Sequence, residues 1–279
     1  MWWGALVNRF NIDVKEVTFE SASLPQSFDG YRIAVFSDIH LGTFGGDTTF
    51  VADVVEKING QNVDAIFFVG DIVNRQTDEL LPFTTVLSRL HARDGVFSVL
   101  GNHDYGDYRD WKSPAERTAN NKAMWRLQAD MGWTLLRNES RYVARGNDSI
   151  AIIGVENCGE PPFSTYGKLE GSYPGSFADN RFKLLLTHNP DHWVKKVQDI
   201  DSINIPLTFS GHTHAMQLSA TLAGHRYSPA ALRYSTWGGR YDDSLGRSLY
   251  VNIGLGTVGL PMRIGATPEI TIVTLKRKQ

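Results

Sequence analysis

The chain has 279 residues, of which 42% are hydrophobic, enough to bury one sizeable core. Its formal net charge of −2 provides no bulk attraction to nucleic acid, so an anionic substrate has to be held by local charge. Cys158 is the single cysteine, which excludes an intrachain disulfide and a thiolate zinc cluster. No stretch approaches the roughly 18 apolar residues expected of a membrane span.

Hydrophobic periodicity predicts alternating strands and helices, which is typical of an α/β fold with much parallel sheet. Strands are expected at 31–36, 64–69, 95–100, 150–155, 182–187 and 206–210. Helices are expected at 47–59, 77–91 and 114–131, with Asp47 and Thr77 capping the first two and Ser113-Pro114 opening the third. The last third ends in a β-like run from Glu269 to Leu275 and is expected to supply a second sheet rather than a separate domain.

Short polar segments directly follow most of the predicted strands. They contain Asp38, His40, Asp71, Asn102, His103, Asp104, His188, His212 and His214. Because the loops at the carboxyl ends of strands line the ligand crevice of an open α/β sheet, these side chains are expected to converge on one rim. Clustered carboxylates and imidazoles are costly without a cation, and these ligand types suit Mn²⁺, Fe²⁺ or Zn²⁺. The sequence therefore predicts a site for divalent metal ions.

The spacing of two doublets supports this interpretation. In Asp38-x-His40 and His212-x-His214 the paired residues are two apart, and residues two apart on an extended strand end point the same way. The other histidines, His91, His192 and His225, lie outside such segments and are expected to be ordinary core residues.

Five of these segments together resemble the signature of the calcineurin-like metallophosphoesterases. They are Asp38-x-His40, Gly70-Asp71, Gly101-Asn102-His103-Asp104, His188 and Gly211-His212-x-His214, in the family's order between about residues 31 and 217. The resemblance implies a four-layer α/β/β/α sandwich of two mixed sheets, with the metals at the edge where the strands end. It also implies one catalytic domain over 31–279, preceded by an N-terminal extension and first strand at 1–30.

The resemblance further implies two divalent ions, one held by Asp38, His40 and His214 and the other by Asn102, His188 and His212, with Asp71 bridging both. A hydroxide between the ions would attack a phosphate ester, whether a phosphodiester, a pyrophosphate or a monoester. His103 would face the substrate, protonating the leaving group or stabilising the equatorial oxygens, and Asp104 would hold its imidazole. Protein phosphatases of the family carry glutamate at the position of Asp104, which places this chain among the broader phosphoesterases.

Arg75 has two interpretations. Its segment Gly70–Arg75 resembles the stretch in which protein phosphatases grip phosphate through an arginine, although Asn74 departs from that pattern. The alternative is a solvated or salt-bridged arginine on the surface.

Two further segments resemble known motifs. Gly254 to Gly259 matches G-x-G-x-x-G, but Leu260-Pro261 follows where a dinucleotide-binding helix should open, so these glycines are expected to be structural. The tail from Tyr250 to Leu275 resembles the closing block of a bacterial branch whose members often carry a membrane anchor upstream. Trp2 and Trp3 then either contact a membrane surface or pack on the domain, and the location stays open between cytoplasm and membrane.

The substrate is predicted only as a class. Loops 105–113, 156–175 and 224–247 are rich in aromatic residues and arginine and are expected to wall the site. Such walls suit a small-molecule phosphate ester or a lipid-linked one, including a lipid-linked pyrophosphate. The alternatives are a nuclease of the same chemistry, which requires a basic track to the metals, and a non-catalytic binding module, which requires lost ligands.

Overall fold

The computed structural model describes residues 2–174 and 179–278. The helices are α1 (Trp2–Leu6), α2 (Thr49–Asn59), α3 (Thr84–Leu87), α4 (Pro114–Asp130), α5 (Leu169–Ser172) and α6 (Asp191–Lys196). The strands are β1 (Asp13–Ser21), β2 (Arg32–Phe36), β3 (Ala65–Val69), β4 (Val96–Val99), β5 (Trp133–Leu135), β6 (Glu139–Arg145), β7 (Asp148–Gly154), β8 (Phe182–Leu186), β9 (Leu207–Ser210), β10 (Ala220–Leu222), β11 (His225–Tyr227), β12 (Gly239–Asp242), β13 (Ser248–Val251) and β14 (Glu269–Arg277). Short 3₁₀ turns include Leu41–Phe44, Thr77–Phe83, Asn102–Tyr105 and His214–Gln217.

The described strands form two six-stranded mixed sheets and the hairpin β10–β11. The first sheet has the order β1-β14-β2-β3-β4-β5, in which β2 to β5 are parallel and β14 is antiparallel to β2. The second has the order β12-β13-β9-β8-β7-β6, in which only the edge strands β12 and β6 are antiparallel to their neighbours. Parallel strands end at the same edge, so the loops after β2, β3 and β4 leave the first sheet together, and those after β8 and β9 leave the second together.

The core lies in three apolar layers that follow from the two-residue period of the strands. Along β3, Ile66 and Phe68 face the helices, whereas Phe67 faces the second sheet. Between the sheets, Phe67 packs against Phe209 of β9 with ring centroids 5.5 Å apart. α2 and α4 cover the outside of the first sheet, and Trp193 of α6 packs on the outside of the second. The α/β/β/α sandwich expected from the sequence is confirmed.

Most predicted elements are present. The six predicted strands are β2, β3, β4, β7, β8 and β9, with ends shifted by at most two residues. α2 begins at Thr49, whose N–H donates to Asp47 Oδ1 at 2.9 Å, and α4 begins at Pro114, where Ser113 Oγ accepts the Glu116 N–H at 3.2 Å. Ser113 is the N-cap of α4, as the sequence predicts. The prediction of Asp47 as the N-cap of α2 is off by one residue, because Thr48 holds that position and Asp47 binds the Thr49 N–H from just outside the helix.

The predicted helix at 77–91 is wrong in type. A 3₁₀ turn runs over Thr77–Phe83 and contains Pro82, and only Thr84–Leu87 is α-helical. Proline has no N–H to donate and disfavours an α conformation in the residue before it, so the α-helix starts only after Pro82. Thr77 is not an N-cap either, because its N–H and hydroxyl both bond to Asn120.

The last third of the chain contributes to both sheets, so the expectation that it supplies the second sheet needs correction. The second sheet already starts at β6, and β14 lies between β1 and β2 in the first sheet. β14 is buried on both faces, with Ile270 and Ile272 in the outer layer and Val273 and Leu275 in the inner one. A strand apolar on both faces fits inside a sheet between two neighbours.

Residues before β2 also join the first sheet. β1 pairs with β14 from Asp13 to Ser21, and the domain boundary at residue 30 stays a prediction. No helix among the described residues is long and apolar enough to cross a lipid bilayer.

Of the three histidines expected to be core residues, only His192 is buried. Its Nδ1 lies 3.0 Å from the Thr187 hydroxyl. His91 and His225 are exposed, because His91 lies in the turn before β4 and His225 in the hairpin outside both sheets. Burial, followed by the charge of Lys196, lowers the pKa of His192 to about 4.

We expect His192 to make the fold acid-sensitive. Its folded-state pKa lies below the unfolded value of about 6.5, so its contribution is complete above that pH and is lost as the pH falls towards 4. The unfolding free energy, measured by urea titration, should fall between about pH 7 and pH 4.5 in wild type. In His192→Asn this fall should be smaller by about 2 kcal/mol. His91→Asn, at an exposed site, should follow wild type; identical losses in all three proteins would contradict the assignment.

Candidate metal centre

The predicted ligand residues come from the loops after five strands. Asp38 and His40 follow β2, Asp71 follows β3, Asn102 follows β4, His188 follows β8, and His212 and His214 follow β9. His212 is half-buried and the other six are buried. The facing edges of the two sheets therefore bring all seven residues together, as the sequence predicts.

The first ligand group contains Asp38, His40 and His214. His214 Nε2 lies 3.2 Å from Asp38 Oδ1 and 3.0 Å from His40 Nε2. Burial by itself would raise the pKa of Asp38, but the neighbouring His214 imidazole holds that pKa well below its usual range. Burial, followed by His214, lowers the pKa of His40 to about 3. At neutral pH Asp38 is a carboxylate and His40 is neutral, which are the forms that bind metal.

The second group contains Asp71, Asn102, His188 and His212. His188 Nε2 lies 3.2 Å from Asp71 Oδ2, 3.1 Å from Asn102 Oδ1 and 3.2 Å from His212 Nδ1. Burial opposes a charge on His188, but the Asp71 carboxylate raises the pKa of His188 to about 9. Burial, followed by His188, lowers the pKa of His212 to about 3. A cation entering this group has to displace the His188 proton.

Asp71 connects the two groups. Its Oδ2 lies 3.2 Å from His188 Nε2 and 3.7 Å from His40 Nε2, one histidine from each group. Its Oδ1 accepts the His103 N–H at 2.9 Å. One carboxylate oxygen is therefore within reach of both groups.

Neighbouring groups orient three of these ligands. The Val69 carbonyl accepts a hydrogen bond from His188 Nδ1 at 2.8 Å, so Nδ1 carries the proton and Nε2 faces the site. The Tyr108 hydroxyl accepts from Asn102 Nδ2 at 2.8 Å, which leaves the amide oxygen for the site. The Tyr234 hydroxyl lies 2.9 Å from His212 Nε2 and leaves Nδ1 facing His188. Such outer contacts fix the tautomer and orientation of metal ligands.

The backbone is strained at most of these residues. Asp38, His40, Asp71, His212 and His214 have φ between 51° and 75°, a region that non-glycine residues rarely adopt. Each such residue costs on the order of 1 kcal/mol and persists only where the surrounding structure enforces it. Among the described residues, twelve non-glycine residues have positive φ, and these five are the ones that converge on the site.

The donor atoms fit metal ions. Three groups have ligand atoms within 4.8 Å of one another: Asp38, His40 and His214; His40, Asp71 and His103; and Asp71, His188 and His212. His40 Nδ1 is buried and has no hydrogen-bond partner among the described residues. Converging carboxylate oxygens and imidazole nitrogens suit a borderline divalent cation.

His103 lies beside the two groups, with its ring stacked on Tyr108 at 4.2 Å between centroids. Its Nδ1 donates to the Asn74 carbonyl at 2.6 Å, because a carbonyl can only accept. The resemblance gives His103 a role towards substrate, although the ring also lies within ligand distance of His40 and Asp71.

The expectation that Asp104 holds the His103 imidazole is wrong. The buried Asp104 carboxylate accepts the backbone N–H groups of Asp71, Ile72 and Gly101, each at 2.9 Å. Adjacent residues of the 3₁₀ turn point in different directions, so Asp104 turns inwards while His103 lines the cavity. Asp104 therefore ties the loop after β3 to the loop after β4 and positions Asp71.

Arg75 lies on the exposed part of the loop after β3, where its backbone N–H donates to Glu79. Its role in phosphate binding stays a prediction.

Arg263 was missed by the sequence analysis. Its buried guanidinium donates to the Gly256 carbonyl at 2.8 Å and lies 3.2 Å from His214 Nδ1. Burial lowers the pKa of Arg263 to about 10. In the sequence, Arg263 stands out only because the tail segment around it has few other charges. That feature does not indicate a contact with His214.

The glycine motif in the tail has a structural role, as predicted. A Cβ at Gly254 would lie 2.6 Å from Asp38 Cβ, and one at Gly256 would overlap the Ile39 carbonyl. Glycine at both positions lets the tail backbone pass directly against the loop that carries Asp38.

A cavity of about 310 Å³ opens over the two groups. Polar atoms of Asp71, Asn102, His103, His212 and His214 form its floor, and its walls include Phe163, Met216, Tyr234, Val258 and Leu260. Of the aromatic residues predicted to wall the site, Phe163 and Tyr234 are in place, and Tyr108 contacts Asn102 and His103. A site with charged ligands below and apolar walls above suits a phosphate group attached to a larger molecule.

Comparison with known proteins identifies the family. The sequence model for calcineurin-like phosphoesterases matches residues 31–216. The chain belongs to this family. The uncharacterised metallophosphoesterase YkuE of Bacillus subtilis is 32% identical over 95% of this chain and 86% of its own length. A zebrafish transmembrane protein with a metallophosphoesterase domain is 30% identical over 95% of this chain, which spans 57% of that relative.

Solved structures match more loosely. NAD nucleotidase of Haemophilus influenzae aligns with a TM-score of 0.47 and 13% identity, over 81% of this chain and 45% of that one. A zebrafish dimetal phosphatase aligns with a TM-score of 0.43 and 16% identity, over 81% and 88% of the two chains. Family membership and the clustered Asp and His side chains together support a metal-dependent phosphoester hydrolase.

We expect Asp71→Asn to lose bound metal, because it removes the charge that both ligand groups share while keeping the size of the side chain. Loss of an outer contact already weakens metal binding by about 10–100-fold, so loss of this ligand should cost at least as much. Metal content after dialysis, measured by mass spectrometry, checks this. His225→Ala, at an exposed histidine, is the control, and unchanged metal content in Asp71→Asn would contradict the assignment.

We expect Asp104→Ala to destabilise the fold as well as the site. It leaves the backbone N–H groups of Gly101, Asp71, Ile72 and Val73 without this acceptor, at about 1–3 kcal/mol each. Asp104→Asn keeps one acceptor oxygen and should fall between wild type and Asp104→Ala in unfolding free energy and in metal affinity. A variant with unchanged stability that loses only activity would instead point to a role through His103.

Proposed function

We propose that this protein hydrolyses phosphate esters with two divalent metal ions. Asp38, His40 and His214 would hold one ion, Asn102, His188 and His212 would hold the other, and Asp71 would contact both. Mn²⁺, Fe²⁺ and Zn²⁺ match these ligands best.

The observation that carries the proposal is the position of Asp71 Oδ2 between His188 Nε2 at 3.2 Å and His40 Nε2 at 3.7 Å. A carboxylate within reach of two separate groups of metal-binding side chains is what a site for two cations requires. A single ion would need only one of these groups.

Bound at this site, divalent ions supply Lewis acidity that neutralises phosphoryl oxygens and makes water a nucleophile at neutral pH. The protein supplies orientation. Val69 and Tyr108 hold His188 and Asn102 in their ligand geometry, so little reorganisation is needed during the reaction. The cavity opens to solvent, and its apolar walls, including Phe163 and Tyr234, reduce the contact of the polar floor with bulk water.

His103 is the proposed general acid. With Nδ1 bonded to the Asn74 carbonyl and the ring stacked on Tyr108, its orientation is fixed at the cavity wall. Nε2 is then the atom that exchanges a proton with a substrate oxygen, and a protonated Nε2 donates to the departing oxygen. The substrate is a diester, a pyrophosphate or a monoester. A poor leaving group depends more strongly on this proton than a good one does.

The test compares leaving groups. Metal-stripped protein is assayed with Mn²⁺, Zn²⁺ or Mg²⁺ added back, on bis(4-nitrophenyl) phosphate and on diphenyl phosphate, whose phenolate is the poorer leaving group. We expect metal-dependent turnover of both. His103→Ala should lower kcat on the diphenyl ester by about a hundredfold or more and on the nitrophenyl ester by much less. His91→Ala serves as the control.

Two results would count against this scheme. Equal losses on both esters would show that His103 stabilises charge rather than protonating the leaving group. The absence of metal-dependent turnover on these diesters and on 4-nitrophenyl phosphate, in protein that binds two ions per chain, would overturn the general hydrolase assignment.

A further inference from the structure

Exposed apolar side chains are concentrated beside the entrance to the metal cavity. Of the fifteen large hydrophobic residues exposed in the described part of the chain, eight lie on three segments. They are Trp3, Leu6, Val7 and Phe10 in segment 3–10, Met216 and Leu218 in segment 214–218, and Leu260 and Ile264 in segment 260–264. We call these eight residues the apolar rim.

Hydrogen bonds hold the three segments side by side. The Ile264 N–H donates to the Gln217 carbonyl at 2.9 Å, which joins the second and third segments. The Arg263 N–H donates to the Gly4 carbonyl at 3.1 Å, and Asn8 Nδ2 donates to the Arg263 carbonyl at 3.0 Å, which joins the first and third. Phe10 also packs against Phe50 of α2, with ring centroids 5.9 Å apart. The apolar rim is therefore one continuous surface anchored to the domain.

This surface reaches the metal cavity. Met216 and Leu260 belong both to the apolar rim and to the cavity wall. Their backbones are joined through Gln217, whose Nε2 donates to the Leu260 carbonyl at 2.7 Å. A molecule resting on the rim therefore lies next to the predicted metal ligands.

The three rim segments themselves carry only basic charges, although Asp47 and Asp53 of the α2 region border a hollow with Phe10 at one end of the rim. The chain contains 30 Asp and Glu residues, yet none lies in 2–10, 214–241 or 254–268. Arg9, Arg226 and Arg233 of these stretches are at least partly exposed. Arg233 pairs with Asp191 at 3.5 Å, which leaves Arg9 and Arg226 as the basic side chains offered to a partner. Away from the Phe10 end, apolar and aromatic side chains accompanied by arginine complement an anionic lipid surface. A second copy of the same face would bring like charges together.

We propose that the apolar rim inserts into the headgroup region of an anionic bilayer, and that the substrate is a phosphate ester carried on a lipid in that surface. This inference rests on the proposed hydrolase function and specifies its substrate class. Insertion brings the cavity entrance to the depth of the lipid phosphates, so the ester enters without leaving the bilayer. Tryptophan and arginine are well suited to that depth.

The first test measures binding without catalysis. Metal-stripped protein is sedimented with vesicles of phosphatidylcholine alone or containing about 30 mol% phosphatidylglycerol. We expect binding to the anionic vesicles that weakens with salt. Trp3→Ser/Leu6→Ser should weaken it about tenfold or more, because two apolar side chains no longer leave water. Tyr142→Ser/Leu245→Ser is the matched control, since these residues are equally apolar and about half exposed but lie on the second sheet and in the β12–β13 turn.

A second variant checks that the rim acts as one surface. Leu218→Ser, on a different segment, should weaken vesicle binding in the same direction as the Trp3/Leu6 pair. The membrane proposal is overturned if wild type does not bind the vesicles. It is also overturned if the Tyr142→Ser/Leu245→Ser control weakens binding as much as Trp3→Ser/Leu6→Ser does. A dimer in light scattering that the Trp3/Leu6 pair dissociates would also overturn it, because a second copy would then cover the rim.

The second test separates this inference from the hydrolase function. With metal restored, the Trp3/Leu6 pair should hydrolyse soluble bis(4-nitrophenyl) phosphate like wild type, but should hydrolyse a phosphate ester embedded in anionic vesicles about tenfold more slowly. Equal rates on the embedded ester would overturn the lipid substrate. If wild type does not hydrolyse the soluble ester at all, the hydrolase function itself is refuted, whether or not the protein binds vesicles.

Discussion

The arrangement of the site depends on one electrostatic constraint: two carboxylates and four imidazoles share a volume from which water is largely excluded. Asp71 meets this constraint by lying between histidines from the two sheets. It is held there by Asp104, which accepts four backbone N–H groups from the adjoining loops. Each buried charge therefore has a partner, and the remaining lone pairs converge on positions suited to cations. The strained backbone at five of these residues is the cost of that convergence.

The sandwich explains why two sheets are needed. Ligands after β2, β3 and β4 come from the first sheet, and those after β8 and β9 come from the second. The inner apolar layer, where Phe67 meets Phe209, fixes the distance between the facing sheet edges. Packing in the core thus sets the spacing of the ligands, and a change of volume between the sheets would be felt at the site even though it touches no ligand.

Much of this could be predicted from the sequence, because strands that are apolar on both faces and end in Asp, Asn or His leave few alternatives. β2, β3, β4, β8 and β9 and the nine candidate site residues follow from that pattern, and the resemblance to the family selects the seven ligand positions among them. The orientation of Asp104 could not be predicted, since a sequence does not show which way adjacent residues of a 3₁₀ turn point. The position of β14 depends on a strand pairing across more than 200 residues. The contact of Arg263 with His214 joins residues about 50 apart. Local periodicity contains no information on such long-range contacts.

The place of β14 has a consequence for biosynthesis. β14 is synthesised after the thirteen other described strands, yet it separates β1 from β2 in the first sheet and pairs with β1 over nine residues. Until it emerges, the edge of β2 is open and β1 has no partner in the sheet. Gly254 and Gly256, which pass against the loop of Asp38, also arrive late. The nascent chain therefore carries all seven predicted ligands, the last of which is His214, well before it can close the sheet beside them, and the centre can mature only once β14 has been synthesised.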